Sequence, residues 1–207
     1  MDAGGAGRPR ILHVAASPKG EAAWSWRIAE LILAELDGKV LRRRLDLDPP
    51  ALPSAAFAAD MMAGQTAGAA AAMPSLALSE VLIGELETTD VLLISTPMHN
   101  FTLPAALKAW IDQVVRFGRT FRSTPEGKIG LLKDRPTYVA IAAGGPISPP
   151  AARQPDFLRP YLVEILACIG IRDVRFVVGE GFARGPEAAS AAEAGARAQM
   201  AAALARG

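Results

Sequence analysis

The stretch Asp90-Val91-Leu92-Leu93-Ile94-Ser95-Thr96-Pro97-Met98-His99-Asn100-Phe101 decides how this chain folds. Its first half is an unbroken aliphatic run, and a strand without apolar and polar alternation must be covered on both faces. From Thr96 onward the residues favour neither strand nor helix. Pro104 then opens a stripe of Leu107, Trp110, Ile111, Val114 and Val115 at helical spacing, with Lys108, Asp112 and Arg116 expected on the opposite, polar face. A buried strand that passes through a loop into an amphipathic helix is the repeating unit of a parallel α/β sheet.

The unit recurs in both directions. Ile11-Leu12-His13-Val14-Ala15 reads as a buried strand that stops at Ser17-Pro18-Lys19-Gly20, and Ile28, Leu31, Ile32 and Leu36 space a helix over 25–36 that Asp37-Gly38 ends. Residues 40–45 form a strand whose Arg42-Arg43-Arg44 run places it at a sheet edge. A helix is predicted over 78–86, strands over 138–142 and 174–178, and helices over 157–169 and 187–205. Five strands alternating with helices predict right-handed crossovers, helices on both faces and the strand order 2-1-3-4-5. We expect one domain over 1–207, with a flexible head at 1–9 and a long loop at 46–77 that serves substrate or a dimer contact.

Composition narrows the function. Twenty-two basic residues against 21 acidic ones leave a formal charge of +1, which provides no broad electrostatic footprint for nucleic acid. The one cysteine, Cys168, cannot form an internal disulfide; its apolar neighbours predict an inert buried thiol, and its solitude suits a cytoplasmic setting. No export signal, membrane span or metal cluster is expected. His13, inside the first strand, is expected to be a satisfied core residue.

In an open parallel sheet, ligands bind beyond the carboxyl ends of the strands where strand order reverses. Three loops lie there. The first offers the Ser17 and Ser25 hydroxyls, Lys19, Gly20 and the free N–H groups of a helix start, which suit a phosphate and equally an ordinary capped turn. The second, Pro97-Met98-His99-Asn100-Phe101, could set Met98 and Phe101 against an apolar ring face with Asn100 at its polar rim, or could simply cap the core. The third places Gly144-Gly145 at a strand end, where backbone approaches a planar ligand closely or merely turns. Three such loops at one topological position favour a mononucleotide site.

Those residues carry a resemblance. Pro97-Met98-His99-Asn100-Phe101, followed by Leu103-Pro104-Ala105, Leu107-Lys108-Ala109-Trp110-Ile111-Asp112 and Val115-Arg116-Phe117-Gly118-Arg119-Thr120-Phe121, resembles the flavodoxin-like FMN-dependent NADH azoreductases and NAD(P)H quinone reductases. The resemblance runs from Ile11 to the terminal helix. It implies bound FMN, with NADH or NADPH donating hydride in a ping-pong reaction that reduces a quinone or azo acceptor. It implies that Ser17 and Ser25 hold the phosphate, that Pro97, Met98, His99, Asn100 and Phe101 contact the ring and ribityl chain, and that Gly144 and Gly145 pass beside the ring. A homodimer with its site at the interface is also implied. An electron carrier, or a relative without turnover, is the alternative.

Three positions depart from that pattern: His99 stands where a tyrosine is frequent, Ala23-Trp24-Ser25 where two serines are common, and Ala142-Ala143 where Ser/Thr-Arg precedes the glycines. His99 can be read as a packing replacement for the tyrosine or as a substrate contact and proton donor.

Overall fold

The computed structural model describes residues 7–63 and 73–205. Its central sheet contains β1 (Arg10–Ala15), β2 (Lys39–Arg44), β3 (Val91–Pro97), β6 (Thr137–Ala143) and β7 (Val174–Glu180), all parallel and in the order β2-β1-β3-β6-β7. This is the predicted order once a small hairpin, β4 (Phe121–Thr124) with β5 (Gly127–Gly130), is set aside. Every residue of β3 up to Thr96 is buried, as its continuous aliphatic run requires.

Alternation along the strands divides the core in two. Leu12, Val14, Leu92, Ile94, Val139 and Ile141 face α3 (Ala77–Glu87), α4 (Ala105–Val114) and α5 (Leu158–Cys168). Ile11, Leu93, Tyr138, Ala140 and Val177 face α1 (Trp24–Leu36) and α6 (Pro186–Leu204), with Ile28, Ile32, Ala196 and Ala203 opposite them. Asp37 ends α1 in the left-handed conformation, at φ 44°. On the outer edge of β7, the Gln199 side-chain amide donates to the Val178 carbonyl and accepts from its N–H, both at 3.0 Å.

Several expectations change. The 46–77 stretch read as a loop contains a helix, α2 (Ala55–Ala63), and a 3₁₀ turn at Pro74–Leu76. Its central part, 64–72, lies outside the described residues, as do 1–6 of the expected flexible head. Arg116 is not on a polar helix face, because α4 stops at Val114. Only 2% exposed, its guanidinium donates to Ser79 Oγ at 3.0 Å and to Glu80, fastening α3 to the segment after α4; Arg119 joins Glu80 at 3.1 Å. Cys168 is half-buried rather than fully buried. The arginines of β2 do lie at the sheet edge, in ion pairs of Arg42 with Glu30 at 2.8 Å and Arg44 with Glu21 and Asp46 at 2.6 and 2.7 Å.

His13 is fully buried but only half satisfied: Nε2 lies 2.8 Å from Ser95 Oγ, and Nδ1 has no partner among the described residues. Burial first, and then the Arg42 charge, push its pKa from 6.5 down to about 3. The unfolded chain therefore takes up a proton that the folded chain refuses between those values. Stability should fall as pH drops below 6.5 by up to ~1.4 kcal/mol per pH unit. Denaturation midpoints measured from pH 6.5 down to about 4.5 should decline more steeply for the native protein than for His13→Asn. Equal slopes would contradict a depressed histidine.

Candidate active site

The carboxyl ends of β1, β3 and β6 open into a cavity of about 280 Å³. It is lined from the first loop by Ser17, Pro18, Lys19, Ala23, Trp24 and Ser25, from the second by Pro97, Met98 and His99, and from the third by Ala142, Ala143 and Gly144. Phe182 and Ala183, beyond β7, complete the wall.

In the first loop, Ser17 C=O accepts from Gly20 N–H at 3.0 Å and Lys19 C=O accepts from Ala22 N–H at 3.2 Å, so the chain coils tightly before α1. Gly20 adopts φ 53°, and a Cβ there would sit 2.7 Å from both the Arg44 guanidinium and the Asp46 carboxylate. The glycine thus lets that ion pair brace the loop from beneath. The start of α1 has no side-chain cap, because Ala23 occupies the capping position. At the second helical residue, Ser25 is fully buried and its Oγ has no partner among the described residues, while Ser17 Oγ accepts a long bond from Lys19 N–H at 3.3 Å. An orphaned hydroxyl beside uncapped helix N–H groups is costly unless an anion completes it, and a phosphate supplies the acceptors required.

The second loop is a tight turn. His99 and Thr102 exchange both backbone hydrogen bonds at 2.9 Å, and the two residues between them are left-handed, with φ 48° at Asn100 and 67° at Phe101. Asparagine tolerates this conformation, whereas for phenylalanine it costs on the order of 1 kcal/mol. The turn directs Pro97, Met98 and His99 to the cavity and takes Asn100 and Phe101 away from its lining. Phe101 is 44% exposed, and its carbonyl accepts from Phe157 N–H at 3.0 Å; Phe157 is 60% exposed.

In the third loop, Ala143 C=O accepts from Gly181 and Phe182 N–H at 3.0 and 3.3 Å, and Gly144 C=O from Ala183 N–H at 3.1 Å. The N–H groups of Gly144 and Gly145 have no acceptor among the described residues. Added Cβ atoms would meet only Ala183 at 3.4 Å from Gly144 and Gln154 at 3.9 Å from Gly145. The protein itself therefore makes no steric demand for either glycine. Gly145 lies outside the cavity lining. Glu180, at the end of β7, accepts from the N–H groups of Ile147 and of Ser148, the latter at 3.0 Å, and so steadies the loop.

Of the residues anticipated from sequence, Ser17, Ser25, Pro97, Met98, His99 and Gly144 come together, and Asn100, Phe101 and Gly145 lie beside them. Trp24 and Phe182 were not anticipated. Their rings stack at 4.6 Å with planes 12° apart, and the Arg27 guanidinium lies 4.5 Å from the Trp24 ring centre. Gly181, which closes β7 at φ 88°, was the sequence signal for a fourth loop at this end of the sheet. Among the described residues, no group of three or more His, Cys, Asp or Glu side chains is placed to hold a metal, and no helix is long and apolar enough to cross a membrane.

Comparison with known proteins identifies relatives of the same fold. The family described as having a flavodoxin-like fold matches residues 9–204. The chain is 49% identical over 176 residues to FMN-dependent NADH:quinone oxidoreductase 5 of Burkholderia lata, covering 84% of this chain and 85% of that protein. It is 45% identical over 185 residues to FMN-dependent NADH:quinone oxidoreductase 2 of Cupriavidus pinatubonensis, covering 86% and 89%. An azoreductase from Bacillus anthracis superposes with a TM-score of 0.78 at 25% identity, over 94% of this chain and 98% of that one. The chain belongs to the flavodoxin-like family and, within it, to the group of the FMN-dependent NADH:quinone oxidoreductases.

Proposed function

We propose that this protein binds FMN in the cavity beyond β1, β3 and β6 and uses NADH or NADPH to reduce quinones or azo compounds by two electrons in a ping-pong cycle. The observation that carries the reading is the buried, unpartnered Ser25 hydroxyl in the first turn of an uncapped helix. Ser25 would donate to the phosphate, with Ser17 and the first N–H groups of α1 beside it. Pro97, Met98 and His99 form one side of the ring site, held in place by the left-handed Asn100-Phe101 turn. Bound there, FMN would supply the two-electron redox chemistry that links donor to acceptor. The free N–H groups of Gly144 and Gly145 stabilise negative charge at the ring edge, a role for which Ala142 and Ala143 offer no side chain.

Single-site use in turn by donor and acceptor requires an accessible ring, and near the second loop Phe101 and Phe157 stand exposed. We place a second copy of the chain beside the cavity, against the exposed Phe101 and Phe157 and with the 46–77 region as a further contact, giving a homodimer with its site at the interface that sedimentation would detect. Cys168 forms no internal disulfide, which suits a cytoplasmic enzyme.

The purified protein should be yellow and should oxidise NADH or NADPH when a quinone is added. Bound flavin without turnover would instead identify an electron carrier. His99 wall-packing and His99 proton donation also separate cleanly. A general acid contributes ~10²-fold or more, so His99→Phe should keep quinone turnover within about tenfold, with an unaltered pH profile, if the ring only packs. We expect that outcome. A larger loss with a displaced pH profile would make His99 the proton donor.

A further inference from the structure

Nothing in the FMN reading explains why an indole and a phenyl ring stack against each other in the wall of a flavin cavity. Trp24 begins α1, directly before the phosphate residue Ser25, and Phe182 lies beyond β7. The stack thus joins the phosphate loop to the far strand end on the α1 and α6 side of the sheet. It is also built into the fold. A Cβ on Gly179 would fall 2.6 Å from Phe182 Cε2 and Cζ, so the phenyl ring rests on bare strand backbone. On the other partner, the Arg27 guanidinium covers the Trp24 ring.

FMN and FAD are the same molecule as far as the first phosphate and differ only beyond it. The residues that adjoin the phosphate subsite therefore decide between them. We propose that the Trp24–Phe182 stack is the specificity element that restricts this site to the mononucleotide. On its side of the cavity the two rings occupy the space through which an adenylate extension would leave the phosphate. To enter, the extension would have to separate two stacked rings and displace Arg27. If directed to solvent instead, it would gain no contact and leave the phosphate a diester. A terminal phosphate offers Ser25, Lys19 and the helix start one more oxygen and more charge than a diester does. Binding energy and exclusion then act in the same direction.

The inference rests on the FMN reading, and one experiment separates the two. Flavin-free native protein, Trp24→Ala, Phe182→Ala and the double variant are titrated with FMN and with FAD, following flavin fluorescence. Native protein should favour FMN over FAD by ~100-fold, and the double variant should narrow that ratio by about tenfold or more, chiefly through tighter FAD binding. The single variants should fall between, and they carry the test if the double variant does not fold by circular dichroism. Native protein that takes FAD as tightly as FMN, or folded variants whose ratio stays within about twofold of native, would overturn the gate while leaving FMN binding intact. Native protein that binds neither flavin would overturn both readings.

Discussion

Replacing Ser25 with alanine is expected to weaken FMN binding by roughly 10- to 150-fold, the value of one hydrogen bond from a buried hydroxyl to a charged acceptor. The apo protein should respond differently. Its Ser25 Oγ is fully buried without a partner, so the hydroxyl carries a desolvation cost that folding does not recover. Removing it should leave apo stability unchanged or raise it by up to about 1 kcal/mol. Ser17→Ala should weaken FMN less, because Ser17 Oγ already accepts from Lys19 N–H at 3.3 Å. Flavin titration and thermal melts of the same two apo variants check all three statements. Unchanged affinity in Ser25→Ala would remove the phosphate from the start of α1, and with it the main support for the proposed site.

Gly130→Ala should destabilise the fold by ~3 kcal/mol or more, for a reason far from the cavity. A Cβ at Gly130 would stand 2.0 Å from Gly170 N and 2.4 Å from Gly170 Cα and the Ile169 carbonyl carbon. All three are backbone atoms, so no side chain can swing aside. Gly170 has little freedom of its own: it sits at φ 106°, and a Cβ there would be 2.5 Å from Leu132 O. The end of the hairpin and the turn after α5 are therefore pressed together, with Leu132 N–H bonded to Ile169 C=O at 3.0 Å. For a chain of this size the loss corresponds to a Tm lowered by about 6–12 °C in calorimetry. A change below about 2 °C would mean that the two segments separate easily.

The parallel sheet was legible because each central strand is an aliphatic run whose burial on two faces leaves few alternatives. The hairpin was not. Phe121-Arg122-Ser123-Thr124 and Gly127-Lys128-Ile129-Gly130 are partly or fully exposed, so no core-facing alternation marks them, and backbone pairing alone makes the strands. Residues 55–63 hid a helix for a related reason, since an alanine-rich segment has helix propensity without a pronounced apolar stripe. Arg116 was misplaced by extending the helical period two residues past the true end of α4.

In the site, residue type located the loops, but backbone conformation decided which side chains line the cavity. Asn100 and Phe101 were expected near the flavin from residue type and resemblance, and the left-handed turn sets both beside the cavity lining formed by Pro97, Met98 and His99. Trp24 and Phe182 escaped notice because each belongs to a different strand end and their significance is a contact between them. No local pattern records such a pair.

The amide of Gln199 has a consequence for how the molecule can and cannot aggregate. Most open sheets leave outer strands that can template a foreign chain. On β7 the Val178 N–H and C=O are already matched by a side chain that imitates a neighbouring peptide group. An incoming strand could not register there without first evicting α6. Growth of the sheet into a continuous ribbon is thereby blocked at this border by a single residue, while the helical flanks and loops remain free for selective assembly.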